Sequence, residues 1–280
     1  MKTNLITKTN LNMKKIVIIL ALVLTSTMTF AQDAPPAAAP VADPPASKFT
    51  ASVDVVFPYL WRGILLNSAS KVAFQPYASY AITDKLTAGV WGSTNFSNDD
   101  KTYSLSYNEF DWYVSYQVTP IVKVMLSDYY YDYPTVRGSY FDYSSNGTQA
   151  LDLSVLLNFA DKGVPLDFQW NTLIGGNDYN SSGNRNFSSY TEAGYTHSIA
   201  SVGLDLRVFA GAVVNESNYY VTPGFKFTNV GLNIAKSIKI SDSYSIPVFV
   251  RYTYNENGNY NTSGDLKKNF ISGGMTFTIK

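Results

Sequence analysis

The sequence predicts an all-β fold: a twelve-stranded antiparallel up-and-down transmembrane β-barrel. Three observations predict it. Apolar and polar residues alternate through twelve successive segments. The connections between them alternate as well, a turn of a few residues and then a longer polar loop. Helix signals are nearly absent, while tyrosine reaches 22 residues. Alternation with a period of two gives each segment one apolar and one polar face. Segments of about a dozen residues are long for a soluble sheet and suit a tilted strand crossing a bilayer. Short turns at one end and long loops at the other are the layout of an outer-membrane barrel. A soluble β-sandwich would need an apolar core between two sheets, with no fixed alternation of loop lengths.

The chain divides into three parts. Residues 1–31 read as a secretory signal peptide: Lys14 and Lys15 precede the apolar run Ile16–Leu24, and small and polar residues lead to Ala31. Nine apolar residues are too few to span a bilayer. Residues 32–48 form a Pro/Ala-rich linker, and residues 49–280 the barrel. Without residues 1–31 the chain carries 17 basic and 21 acidic residues, a net charge of −4, which gives nucleic acid no footing as a partner. There is no cysteine, so neither a disulfide framework nor a lipid-modified cysteine is expected. No later run of apolar residues is long enough for a transmembrane helix.

Taken in order, residues 49–66 read as the first strand. Ala51, Val53, Val55, Phe57, Tyr59 and Trp61 lie on the apolar parity, Asp54 and Arg62 on the polar one, with Pro58 an imperfection. Residues 72–82 and 85–96 make a hairpin about Thr83 and Asp84. In 104–118, Phe110, Trp112, Val114 and Tyr116 oppose Glu109, Asp111, Tyr113 and Ser115. Residues 121–132 follow, and then the sixteen-residue loop 133–148. In 149–160, Leu151, Leu153 and Val155 oppose Asp152 and Ser154; in 165–176, Phe168 and Trp170 oppose Asp167 and Asn171. The segment 188–199 alternates less clearly. The segment 202–215 has the cleanest apolar face, opposite Asp205 and Arg207. Segments 224–240, 244–255 (with Arg251) and 268–279 complete the count. An even number of strands brings both ends of the barrel chain to one side.

Charges on a lipid face cost about 2–4 kcal/mol for Arg at the midplane, so the charged parity is expected to face the lumen. The expected pore-lining residues are Asp54, Arg62, Glu109, Asp111, Asp152, Asp167, Asp205, Arg207 and Arg251. They could line a wet channel or pair with one another and plug it. Tyr113, Phe209 and Phe249 share their parity and narrow any path. Trp61, Trp112, Tyr129, Tyr130 and Tyr131, at strand ends, are expected in the aromatic girdle, with sugar stacking beside loop 133–148 as the rival reading. Gly274, Phe277 and Ile279 have the spacing of a C-terminal assembly signal, although Lys280 follows.

The order of Val53, Asp54, Val55, Val56, Tyr59, Trp61, Arg62, Gly63 and Ile64 resembles the opening of the TorF-like (Gcw_chp) porin family. Gln75, Pro76, Gly89, Trp91 and Gly92 look like its continuation. That resemblance implies an outer-membrane barrel and a pore, without a known solute. The functional expectation is therefore a porin-like channel for passive diffusion of small hydrophilic solutes or ions in the bacterial outer membrane. The alternative is a closed structural or adhesive barrel that binds ligands through its extracellular loops. Expected partners are outer-membrane lipid, the barrel assembly machinery and small hydrophilic solutes. No cofactor is expected. One histidine and no cysteine disfavour a transition-metal site, although calcium at Asp99 and Asp100 is conceivable. An enzyme is not expected either: Ser198, beside His197, points to the opposite face of its strand. Six acids against three arginines on the charged parity predict a weak cation preference in an open lumen.

Overall fold

A computed structural model describes residues 48–67, 71–96, 108–132, 139–260 and 265–279. Residues 1–31, read above as a signal peptide, residues 32–47 of the expected linker, and Asp99 and Asp100 lie outside the described residues. The strands are β1 (Phe49–Phe57), β2 (Leu60–Trp61), β3 (Ile64–Leu65), β4 (Ala73–Ala81), β5 (Leu86–Ser93), β6 (Asn108–Gln117), β7 (Val122–Asp132), β8 (Gln149–Asn158), β9 (Leu166–Gly176), β10 (Ser189–Ile199), β11 (Leu204–Val213), β12 (Lys226–Ser241), β13 (Tyr244–Tyr260) and β14 (Leu266–Ile279). β1 and β4 to β14 form a closed antiparallel barrel of twelve strands in sequence order. β1 closes it: Val53 lies opposite Pro76 of β4 on one side and Phe277 of β14 on the other. Closure leaves no unpaired sheet edge. β2 and β3 form a separate two-stranded hairpin.

The barrel is polar inside and apolar outside. Asp152 and Ser154 on β8 are fully buried, whereas Leu153 between them is 40% exposed. Phe110, Trp170 and Ile271 stand on the same outer face at 41–47% exposure. Gln75, Asp111, Asn171, Glu192 and Ser272 are buried on the inner face. In water this arrangement would leave a wide apolar belt uncovered. Connections at one end are turns of two to seven residues, such as Ile82–Lys85, where the Ile82 and Thr83 amides donate to the Leu86 carbonyl. The other end carries connections of five to sixteen residues, most of them longer than any of these turns.

The first segment departs from expectation. β1 ends at Phe57, because Pro58 has no amide for the ladder, and the chain then leaves the wall. Residues 60–65 fold back as β2 and β3 about Arg62 and Gly63, whose φ values are 48° and 82°. Two positive φ values at the centre of a two-residue turn match the right-handed twist of a hairpin. β11 starts at Leu204 because Ala200–Val202 make a 3-10 turn. A register shift between Gly211 and Ala212 then re-aims the loop end of β11.

Candidate functional site: a hairpin across the lumen

The β2–β3 hairpin enters the barrel from the loop end and reaches both β13, two places from β1 around the ring, and β8, five places away on the other side. The Gly63 carbonyl accepts from the side-chain amides of Asn255 and Asn259, both at 2.9 Å, at the loop end of β13. Asn259 also accepts from the Leu65 amide at 3.1 Å. The base is pinned by Asn67, whose Oδ1 accepts from the Tyr59 amide at 2.7 Å. Arg62 crosses to β8, where its Nη1 lies 2.8 Å from Asp152 Oδ2. The two side chains are 9% and 0% exposed, so this ion pair has left bulk water. Arg62 also donates to the Tyr220 hydroxyl and lies over the rings of Trp61 (4.5 Å) and Tyr190 (5.1 Å).

Desolvating an ion pair is repaid only by good geometry and further hydrogen bonds. Asp152 has them: Tyr129 donates to Oδ2 at 3.2 Å and Ser154 to Oδ1 at 3.0 Å. Asn171 in turn donates to Ser154 at 2.6 Å. Trp61 is the apolar counterpart, packing against all three clusters of buried hydrophobic residues. Its ring stacks on Tyr220 at 5.6 Å and meets Tyr129 edge-on at 5.5 Å.

A second charged network lies nearby. Arg207 binds Asp167 through Nε (2.9 Å) and Nη2 (2.5 Å) and reaches Glu192 at 2.8 Å. Glu192 Oε2 accepts from Tyr190 at 2.5 Å and Asn229 at 2.7 Å. Arg251 lies over Phe209 (5.2 Å) and Phe249 (6.0 Å), and its Nε has no hydrogen-bond partner among the described residues. On β6, Glu109 accepts from the Tyr59 hydroxyl at 3.1 Å, and Asp111 from the Tyr130 amide at 3.3 Å. Asp205 accepts from Ser198 at 2.6 Å, not from an arginine.

The strand registers therefore put Asp54, Glu109, Asp111, Asp152, Asp167, Asp205, Arg207 and Arg251 on the inner parity. Arg62 is inside too, but on the inserted hairpin instead of the wall. The aromatic assignment needs correction. Trp61 is inside the barrel, and Tyr129 and Tyr131 are buried on its inner face opposite Asp111 and Glu109. Three consecutive tyrosines cannot share a face in a strand, so only Tyr130 of the run takes the outer parity, together with Trp112. Sequence reading missed Tyr190 and Glu192, because Gly194 and the polar outer residues Thr191 and His197 blur the alternation of β10. It also missed Tyr220, which a loop carries into the lumen. Pro58 and the Arg62–Gly63 pair were the available signals for the hairpin.

Gly274 and Phe277 lie on the closing strand, with Phe277 on the outer face, and Ile279 pairs with Ala51. Among the described residues no cluster of three His, Cys, Asp or Glu could hold a metal ion. No family model and no curated protein matches the chain. Among solved structures, a NanC porin is similar at a TM-score of 0.47 and 13% identity, over 82% of this chain and 99% of that chain. So distant a likeness carries no argument about what passes through this barrel.

Proposed function

We propose that the chain is a porin-like channel of the bacterial outer membrane, narrowed by its own β2–β3 hairpin, for small hydrophilic solutes or ions. The carrying observation is the inverted polarity of a closed barrel, charged inside and apolar outside. That polarity fits a bilayer around the outer face and water within. Export through the signal peptide, insertion by the barrel assembly machinery through the Gly274–Ile279 segment, and membership of the TorF-like family belong to the same proposal. They rest on the sequence patterns alone. With the first strand starting on the periplasmic side, the long loops and the hairpin's entrance are extracellular.

A second reading is favoured by one feature. The hairpin is held by the buried Arg62–Asp152 pair and by side-chain amides of β13, as a permanent plug would be. Planar bilayers separate the two. The wild type and a variant with residues 60–65 replaced by a Gly-Ser linker are reconstituted after their folding is verified. A porin gives small unitary steps in the wild type and larger ones in the variant. Steps in the variant alone identify a closed barrel. Silence from both folded proteins overturns the channel.

A further inference from the structure

We infer that the loop-end vestibule above the hairpin is a binding site for a neutral, polyhydroxylated ligand of the pyranose class. A cavity of about 360 Å³ lies there, within the lower range of small-molecule sites, roughly 300–1,000 Å³. Its floor is the hairpin, through Trp61, Ile64 and Leu66. Its sides are aromatic: Tyr131 from the end of β7, Tyr179 from the β9–β10 loop and Tyr219 from the β11–β12 loop. The rim adds hydroxyl and amide groups from Thr148, Asn177 and Asn218. Among the described residues no Asp, Glu, Lys or Arg lines it, although charges crowd the lumen below.

That combination selects a chemistry. A pyranose has a C–H face that seats on apolar and aromatic surface, and an edge of hydroxyls that needs donors and acceptors. An ionised ligand would be desolvated in this cavity with no counter-charge among its described lining residues, which is costly. The rim has capacity left to offer. Thr148 Oγ1 is buried in a residue 6% exposed and has no hydrogen-bond partner among the described residues. By strand register Thr148 shares the inner face with Tyr131, whose amide donates to the Thr148 carbonyl at 3.1 Å. The Asn177 side chain likewise makes no hydrogen bond among the described residues, its backbone amide being the group that binds Gln149. Asn218 is already oriented, donating to the Tyr179 carbonyl at 2.7 Å. The aromatic sides are held in place: the Tyr219 and Tyr131 hydroxyls bond at 3.0 Å, and Arg185 supports the Tyr179 ring at 4.6 Å. A site held in place before binding loses less entropy on capture.

The test is isothermal titration of the full folded chain in detergent micelles with glucose, maltose and glucuronate. It needs no conductance, so failure of the channel reading and failure of this one are distinguishable. Saturable heat is expected from glucose and maltose, and weaker binding from glucuronate. Thr148→Val, which keeps the side-chain volume, combined with Asn177→Ala removes two hydrogen-bonding groups from the rim, and about tenfold weaker binding is expected. Tyr219→Ala should weaken binding at least as much. Unheated gel mobility and a thermal scan establish that each variant is folded. Absence of saturable heat with the neutral sugars, tighter binding of glucuronate than of glucose, or unchanged affinity in the folded double variant would overturn the assignment.

Discussion

Gly63 occupies a place that no other residue fits. A Cβ there would lie 1.7 Å from the Thr228 carbonyl oxygen, and φ is +82°. Both the clash and the left-handed backbone penalise any side chain. Gly63→Ala is expected to push the hairpin tip off β12 and β13, at a cost of about 1–3 kcal/mol, read as a lower unfolding midpoint in urea. The Arg62–Asp152 pair makes a sharper case. Asp152→Asn leaves a buried guanidinium without its counter-charge, which costs about 3–5 kcal/mol. The double variant Arg62→Met, Asp152→Leu should regain most of that loss, since replacing both partners by apolar groups is often neutral. A double variant no more stable than Asp152→Asn alone would show that the fold relies on the pair together with its hydrogen bonds to Tyr129, Ser154 and Tyr220.

At the scale of the element, β14 is the closing strand. It pairs β13 along one edge and β1 along the other, so its removal would expose two ladders at once. Gly274 sits where a Cβ would lie 2.7 Å from the Phe249 ring and 2.9 Å from the Val55 carbonyl, which explains a small residue at the seam. Deleting residues 274–279 is expected to abolish the compact, heat-modifiable form on gels and leave aggregate. Phe277→Ala, which keeps every backbone hydrogen bond, should give a folded barrel in vitro. A sharp loss of assembled protein in cells with normal refolding in vitro would assign Phe277 to recognition by the assembly machinery. Equal yields in both settings would refute that role.

At the scale of the whole molecule, the inner face holds more acid than base. Besides the Lys226–Glu256 pair, seven acids (Asp54, Glu109, Asp111, Asp152, Asp167, Glu192 and Asp205) share the inner parity with Lys123, Arg207, Lys239, Arg251 and Lys268, and the interior with Arg62. Pairing consumes Arg62 with Asp152, Arg207 with both Asp167 and Glu192, and Lys239 with Asp242 of the adjoining turn, which leaves Asp54, Glu109, Asp111 and Asp205 against Lys123, Arg251 and Lys268. The remaining acids outnumber the remaining cations, and a low-dielectric wall focuses that field on any path through the lumen. In a reversal-potential measurement across a salt gradient, the hairpin-replaced channel is expected to prefer cations. Glu109→Gln with Asp111→Asn should reduce the preference. An anion preference, or no change in that variant, would place the selectivity elsewhere.

The sequence by itself determined the barrel. Alternation in Leu151–Val155 or Phe110–Tyr116 is a local property: a strand has two faces, and only one can hold Asp152 or Asp111. Twelve such segments joined by alternating short and long connections leave few ways to satisfy every backbone group. What the tertiary structure decided is the interior. Trp61 and Arg62 continue the parity of β1 in sequence, yet their positions follow from Pro58 ending the ladder and from contacts with Thr228, Asn255, Asn259, Asp152 and Tyr220. Those partners lie up to 196 residues away along the chain. Periodicity reports which face a residue takes. It carries no record of what waits on the far side of the lumen, and the packing there is fixed only once the barrel has closed.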